Sequence, residues 1–407
     1  MAEETVLKIE ASYLYNDKAN KIEKKGPANI SIRKESLVIS PKIGELLEFS
    51  FREINDVTVK DYRVKLSINT SEEVELKEMG YKYEDFARLF FHAYNDMVMR
   101  DLLMKEGLKL SGIDAELTYG KEKLKDECEV RIYETALVVI PEKFALLRVP
   151  FAEIIEIKEG DHSVTVITEY DGVILFEKLA GKHDVFVEKL GEVLNQLSLD
   201  VQDSLKKLAP GLSSSLIRQA ARYMKDGRAV RRAVLGKAAP GLFEAVEKTI
   251  AKTEMKVEYE YLKKLADSAN MCVGVKKELA GTMANEEGLY LWFLIPIGNI
   301  VAMEAIVSGG DGKGKATYFF KMKGHTAKDT ELFLEKTNRC MLSINFRREP
   351  IYLTDENLEK PEYQRYKYAI AKIPGLRDLR EAFLGRVIHK DDEQWQKDVK
   401  VLLQIKS

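Results

Sequence analysis

The sequence contains little cysteine and almost no net charge. Among its 407 residues there are three cysteines, Cys128, Cys272 and Cys340, which lie far apart and form no CxxC pair. This pattern excludes a disulfide framework, argues against structural zinc and favours a reducing compartment. The formal net charge is −2. The chain as a whole therefore shows no preference for nucleic acid or acidic lipid, and any such preference must be local.

Long apolar segments are also lacking. The longest, from Leu289 to Ile297, is about half the length that a helix needs to cross a bilayer. The first residues, Met1 to Glu4, are acidic and contain no apolar signal core. We therefore expect a soluble protein of the cytoplasm.

Motifs for catalysis or cofactor binding are missing. Gly309 to Ala316 nearly spells a phosphate-binding loop, but Ala316 stands where a Ser or Thr must reach magnesium. Thr317 to Phe320 then looks like a strand, whereas such a loop must open a helix. The five histidines show no metal-binding spacing, and no GxSxG occurs. The sequence predicts a non-enzyme with no catalytic residue, metal or cofactor. An enzyme site between the C-terminal domain and the preceding helices remains the alternative.

What the sequence does contain is an internal repeat. Residues n and n+100 match without a gap from Ile30 to Asn95. The identical pairs include Leu37/Leu137, Val38/Val138, Pro41/Pro141, Phe51/Phe151, Glu53/Glu153, Ile54/Ile154, Val64/Val164, Phe86/Phe186 and Asn95/Asn195. Other pairs keep only apolar character. A hydrophobic pattern shared across five or six elements indicates a duplication.

Each copy predicts several short strands followed by one helix. Alternating apolar residues, such as Leu47, Phe49 and Phe51, are typical of strands with one buried face. The period then changes to that of an amphipathic helix. The helical positions are Phe86, Leu89, Phe90 and Ala93 in the first copy, and Phe186, Leu190, Val193 and Leu194 in the second. Short antiparallel strands closed by a C-terminal helix predict an α+β unit.

This pattern resembles the pleckstrin-homology-like (PH-like) superfamily, including GRAM and bacterial PH-type domains. The resemblance covers residues 5–100 and 105–200 and includes the step at Val149-Pro150-Phe151 before Ile154. It implies a binding module for phosphoinositides, protein partners or self-assembly. The closing helices carry Phe86 and Phe186 where many PH domains carry Trp, which argues against close kinship with eukaryotic signalling PH domains.

A third, divergent copy is a further hypothesis for residues 255–345. Glu331 to Lys336 resembles the helical segment Asp184 to Lys189. Ile295-Pro296-Ile297 followed by Ile300 resembles the step in the second copy, and the two offsets differ by one residue. The predicted domains are therefore two PH-like domains, a basic helical connector and a third α+β domain with C-terminal helices. Their limits are 1–104, 105–200, 201–262 and 263–407.

The hairpin between the first two strands is rich in lysine in both copies. The candidate anion-binding residues there are Lys18, Lys21, Lys24, Lys25, Lys121, Lys123 and Lys125. Several ammonium groups on one hairpin favour phosphate, as the resemblance to lipid-binding PH domains also implies. The alternative is a solvated loop whose acids, such as Glu23 and Glu122, dilute the charge.

The predicted connector is strongly basic. Residues 206–237 carry nine Lys or Arg and one acid, Asp226. The candidate anion-binding residues are Arg218, Arg222, Lys225, Arg228, Arg231 and Arg232. The spacing of Arg218, Arg222 and Lys225 predicts one helical face, with Ser213 to Ser215 as the N-cap. Such a stripe suits nucleic acid or an anionic surface, or it pairs with acidic faces of the same protein.

The function that these patterns favour is a non-enzymatic binding or scaffold protein. Its repeated modules suit multivalent contacts with proteins, or self-association. Binding of nucleic acid or an anionic membrane through the connector and the lysine hairpins is the alternative. No small-molecule cofactor is expected.

Overall fold

The computed structural model describes residues 5–68, 71–101, 106–120, 123–277, 289–307, 316–389 and 391–404. The chain divides into two compact units. Unit 1 comprises Met1–Leu190 and Leu353–Ile373, and unit 2 comprises Gly191–Tyr352 and Pro374–Ser407. Both combine antiparallel sheets with helices, so the predicted α+β class is confirmed.

The first repeat forms one seven-stranded antiparallel sheet, in the order β4-β3-β2-β1-β7-β6-β5, followed by a helix. The strands are β1 (Thr5–Asp17), β2 (Ile22–Arg33), β3 (Ser36–Pro41), β4 (Leu47–Ser50), β5 (Ile54–Lys60), β6 (Arg63–Ile68) and β7 (Glu72–Lys77), and the helix is α1 (Tyr83–Asp101). Alternate residues of β1, such as Ile9, Ala11 and Tyr13, are buried on one face. Phe86 and Phe90 of α1 belong to the same core.

The second repeat has the same strand order, β11-β10-β9-β8-β14-β13-β12, and also ends in a helix. Its elements are β8 (Leu108–Tyr119), β9 (Leu124–Tyr133), β10 (Ala136–Pro141), β11 (Leu147–Pro150), β12 (Ile154–Gly160), β13 (Ser163–Thr168), β14 (Val173–Glu177) and α2 (His183–Leu208). In each repeat a 3-10 turn, Phe51–Glu53 or Phe151–Glu153, leads from one edge strand of the sheet to the other. The matched aromatic and Ile positions therefore preserve this crossing.

Unit 2 contains the remaining sheet and most of the shorter helices. Its first elements are α3 (Ser214–Tyr223), β15 (Val230–Arg231), α4 (Arg232–Ala238), α5 (Leu242–Ile250), α6 (Lys256–Leu265), β16 (Cys272–Lys277), β17 (Leu289–Ile297), β18 (Ile300–Val307), β19 (Ala316–Lys321), α7 (Ala327–Ser343) and α8 (Glu349–Tyr352). Ser213 caps α3 by accepting a hydrogen bond from the Leu216 N–H at 3.4 Å. The N-cap predicted from the serine run is therefore present.

The chain then enters unit 1 for a short segment before it returns to unit 2. The segment contains α9 (Asp355–Leu358) and α10 (Gln364–Lys372), and the chain ends with α11 (Pro374–Ala382), β20 (Phe383–Ile388) and α12 (Asp392–Leu402). Strand β20 pairs with β19 and completes the sheet of unit 2. The sequence patterns contain no sign of this crossing.

The sheet of unit 2 has a different order from the two repeats. Its strands run consecutively, β15-β16-β17-β18-β19-β20. Ile297 and Ile300 face each other in the β17–β18 hairpin, whereas the corresponding step in the repeats joins opposite edges of a sheet. The segment 309–315, which resembles a phosphate-binding loop, lies outside the described residues, and Thr317 to Phe320 lie in β19 as predicted.

Candidate functional site

The lysines of the first hairpin lie on an exposed surface and form weak ion pairs. Lys18 and Lys21 lie in the turn between β1 and β2. Lys18 pairs with Glu73 at 2.6 Å and Lys24 with Glu45 at 2.9 Å, while Lys25 pairs with Glu23 at 2.9 Å. Exposed pairs of this kind contribute about 0–1 kcal/mol each. These carboxylates therefore hold the lysines only weakly.

The second hairpin is similar, but only two of its three candidate lysines, Lys123 and Lys125, lie among the described residues. Lys121 lies outside the described residues. Lys123 is at the turn with a φ of 49°. Lys125 lies 3.9 Å from Glu116, and Lys178 also pairs with Glu116. Glu116 thus pairs with one candidate lysine of the hairpin, Lys125, and with Lys178, which follows β14.

The basic stripe of the connector is divided by the fold. Arg218 and Arg222 are exposed on α3, one helical turn apart, and no ion pair to either is found in the part of the chain that the structure describes. Lys225 and Arg228 follow the helix and are half-buried, with further interactions of their own. The predicted basic face of one helix therefore contains only Arg218 and Arg222, because Lys225 lies beyond the end of α3.

The last two arginines of the stripe have structural roles. Arg231 pairs with Glu331. Arg232 pairs with Glu244 at 2.8 Å, and its guanidinium lies 4.9 Å from the centre of the Phe243 ring. These contacts tie β15 and α4 to neighbouring helices of unit 2. Arg231 and Arg232 are also less exposed than Arg218 and Arg222 on α3.

A buried polar cluster in unit 2 was missed by the sequence analysis. The Thr317 hydroxyl lies 2.9 Å from Nε2 of His389 and donates to Glu304. His389 Nδ1 lies 3.4 Å from Glu258. The Trp395 indole donates to the Thr317 hydroxyl at 3.0 Å. Five elements or their flanking residues supply these side chains, so no local spacing in the sequence reveals the cluster.

The hydroxyl–imidazole–carboxylate order in this cluster resembles that of a nucleophile with its base. Thr317, however, is fully buried, and a nucleophile must reach a substrate. Its proton is directed at Glu304 instead of at the imidazole. Burial raises the pKa of Glu258 above its usual range. The cluster is therefore arranged to hold α6, β18, β19 and α12 together.

Three further features concern metal binding, membrane crossing and the reactivity of the thiols. In the described part of the chain, no group of three or more His, Cys, Asp or Glu side chains is already placed to hold a metal ion. Among the same residues, no helix combines the length and apolar character required to cross a membrane. The three cysteines are free and buried. Burial raises the pKa of the Cys128 thiol to about 12, which makes it a poor nucleophile.

Comparisons with known proteins give little further guidance. No family model matches the chain, and no curated protein matches it. A solved structure of the Spt16D Pob3N heterodimer matches with 16% sequence identity over 40% of this chain and 85% of that chain, at a TM-score of 0.18. A likeness at so low a TM-score carries no argument, so function has to be argued from the geometry.

Proposed function

We propose that this protein is a non-enzymatic binding or scaffold protein whose tandem PH-like repeats present docking surfaces for protein partners. The observation that carries the proposal is the helix α10, which packs against α1 of the first repeat although it is distant in sequence. This packing of a helical segment that is distant in sequence supports the proposal that the repeat binds helices of partner proteins.

The contacts between α10 and the repeat are specific. Tyr368 packs edge-to-face on Tyr94 of α1, with ring centroids 6.1 Å apart. Lys372 donates to the backbone carbonyl of Asn55, and its ammonium lies 5.7 Å from the centre of the Tyr94 ring. Burial lowers the pKa of Lys372. Aromatic anchors with one directed polar contact are typical of protein-binding surfaces.

The test uses the full chain and a labelled synthetic peptide of residues 353–373. The variant Tyr368→Ala weakens the segment in cis, so we expect the labelled peptide to bind this variant more tightly than the wild-type chain, measured by fluorescence anisotropy. A peptide that itself carries Tyr368→Ala is the matched control. If the intact peptide binds no better than the altered one, the surface does not recognise helices and the proposal fails.

A second candidate function is the binding of nucleic acid or an anionic membrane. The exposed pair Arg218 and Arg222 favours it, with the neighbouring Tyr223 also exposed. The lysine hairpins would add charge for phosphate groups. Such binding would rest on phosphate contacts, without sequence preference and with strong dependence on salt.

A charge-reversal experiment separates this function from the first. The full chain is titrated at several salt concentrations with mixed-sequence DNA, RNA and vesicles containing anionic lipid. If Arg218 and Arg222 carry the binding, the variant Arg218→Glu/Arg222→Glu abolishes it. The variant Lys248→Glu/Lys264→Glu, with the same charge change at exposed sites of α5 and α6, retains most of it. No binding at low salt rules this function out.

A further inference from the structure

The two repeats meet through a loop of the second repeat, residues 141–146, and the closing helix of the first. The side-chain amide of Asn95 in α1 donates to the backbone carbonyls of Pro141 and Phe144, at 3.3 and 3.0 Å. It also accepts a hydrogen bond from the Leu146 N–H at 2.9 Å. The Leu146 side chain belongs to the core of the first repeat. Because Asn95 binds backbone groups, its hydrogen bonds do not require particular side chains in the loop.

The corresponding loop of the first repeat, residues 41–46, is exposed. Both loops share a backbone hydrogen bond, in which the N–H of Lys42 or Glu142 donates to a carbonyl of the preceding strand. In the first repeat, however, Ile43 is 95% exposed and Leu46 is 55% exposed. Two large apolar side chains this close together on a surface favour a contact with another protein surface.

The corresponding face of α2 is exposed as well. Asn195 matches Asn95 and is exposed. One turn earlier, Gly191 replaces the buried Phe91 of α1, and in the described structure a Cβ atom on Gly191 would have open space around it. One turn later, Leu199 is 54% exposed. The helix therefore presents an amide like that of Asn95, with open space on one side and an apolar residue on the other.

We propose that residues 41–46 of one copy of this chain dock on residues 191–199 of α2 in a second copy. The occupant is a second copy because the interface between the repeats already pairs these two kinds of surface within one chain. The amide of Asn195 bonds the backbone of the docked loop, as Asn95 does in the first repeat. The exposed apolar side chains of the loop cover the open space beside Asn195.

The contact is heterologous, because one copy supplies the loop and the other supplies the helix. Each chain carries both surfaces, so copies add head to tail. This inference rests on the proposed binding function and names a second copy as one partner. It uses a different surface from the contact of Tyr368 with Tyr94. The peptide experiment above and a measurement of self-association can therefore fail separately.

The contact between copies is weaker than the one within the chain. Lys143 pairs with Glu84 at 2.7 Å, whereas residue 43 is Ile, but an exposed pair of this kind contributes little. The tether matters more. Helix α1 ends at Asp101 and β8 begins at Leu108, and so short a tether gives an effective concentration on the order of 1 mM. Separate copies must reach a similar concentration by themselves.

The test is sedimentation equilibrium of the full chain up to about 1 mM, where we expect the average mass to rise with concentration. Ile43→Glu/Leu46→Glu places two charges in the loop, and Asn195→Arg removes the amide and fills the space beside it. Each variant should lower the association constant at least about tenfold. All three residues are exposed, so the variants should fold, which circular dichroism checks.

A mixture of the two variants tests the head-to-tail geometry. The loop variant keeps an intact helix surface, and the helix variant keeps an intact loop. An equimolar mixture should therefore form dimers that neither variant forms alone, because it contains one intact contact per pair. The wild-type chain, which has both surfaces, should grow beyond the dimer.

The controls make the same charge changes elsewhere. Val173→Glu/Val401→Glu alters apolar residues that are 50% and 76% exposed, and Gln196→Arg alters the exposed amide next to Asn195. Both controls should associate like the wild-type chain. A wild-type chain that stays monomeric up to about 1 mM overturns the proposal. Association that both test variants retain, equal losses in the controls, or a mixture without dimers also overturns it.

Discussion

At the scale of single residues, Gly274 shows how closely the interior of unit 2 is packed. A Cβ atom on this glycine would lie 2.1 Å from Nε1 of Trp292 and 2.4 Å from the backbone oxygen of Gly227. The same Trp292 nitrogen donates to that oxygen at 2.8 Å. Beside it, the buried Asp226 and Lys276 form an ion pair at 2.5 Å. Glycine is thus the residue that admits the indole to this contact.

We predict that Gly274→Ala lowers the free energy of unfolding by about 3 kcal/mol, since the added methyl group must displace the indole or the backbone. Gly236→Ala is the matched control. Gly236 lies inside α4 with open space around its Cβ position, and alanine there should stabilise the helix by about 0.5–1 kcal/mol. Chemical denaturation of both variants gives the comparison, and equal effects would contradict the packing argument.

Identical residues at matched positions of the two repeats predicted the shared fold, but they did not predict the role of each side chain. Asn95 and Asn195 are an identical pair in the repeat, yet their environments differ. Asn95 is buried and bonds to the Phe144 carbonyl and the Leu146 N–H of the second repeat, at 3.0 and 2.9 Å. Asn195 is exposed. The first repeat has a following repeat to contact at this site, so a side chain's role depends on neighbours that the local sequence does not contain.

At the scale of elements, the regular parts of the fold followed from hydrophobic periodicity. The strands and closing helices of both repeats alternate or recur with clear periods, and short turns leave few ways to pair them. The strands β15 and β20 of unit 2 carried no such signal. Strand β15 has two residues, and β20 joins the sheet from more than 60 residues after β19. Long-range pairing of this kind depends on packing rather than on local pattern.

The cluster around Glu258 gives the element-scale prediction, because it links α6 to β18, β19 and the end of β20. Burial raises the pKa of Glu258 above its usual value of 4.5, so the folded chain holds this proton more tightly than the unfolded chain does. The stability from this group is therefore complete in acid and is lost as the pH rises from 4.5 through the raised pKa.

We expect Glu258→Gln to gain stability relative to the wild-type chain as the pH rises from 4.5 through the raised pKa of Glu258. Glutamine has a similar shape but carries no charge that burial would penalise. The measurement is the free energy of unfolding by urea at each pH. Glu260→Gln, at an exposed site of the same helix, should show no such trend. If the difference in unfolding free energy between Glu258→Gln and the wild-type chain does not change with pH, the cluster tolerates the charge on Glu258.

At the scale of the whole molecule, residues that are close in sequence do not always belong to the same structural unit. Residues 353–373 belong to unit 1, while the residues before and after them belong to unit 2. The sequence predicted C-terminal helices for the domain of residues 263–407, which includes this segment. It gave no indication of which core they would join, since an amphipathic face fits any apolar surface of matching shape.

A substitution of Tyr368 tests whether residues 353–373 belong to unit 1. It is 3% exposed and belongs to the core of the first repeat, so Tyr368→Ala should destabilise unit 1 by about 3 kcal/mol. Hydrogen exchange should increase in α1 and in the β-strands around Asn55, although these lie about 300 residues earlier in the chain. The amides of β17 and β18 in unit 2 should exchange as before.

The matched control is Tyr81→Ala, in the first repeat itself. Tyr81 is 90% exposed, so its loss should change stability by less than about 0.5 kcal/mol and leave exchange in α1 unchanged. Faster exchange confined to unit 2 in the Tyr368→Ala chain would show that α10 stabilises the unit that flanks it in sequence. Faster exchange in α1 and around Asn55, with β17 and β18 unchanged, would establish that residues 353–373 complete the core of the first repeat. It would also place the helix-binding surface of the proposed function on that repeat.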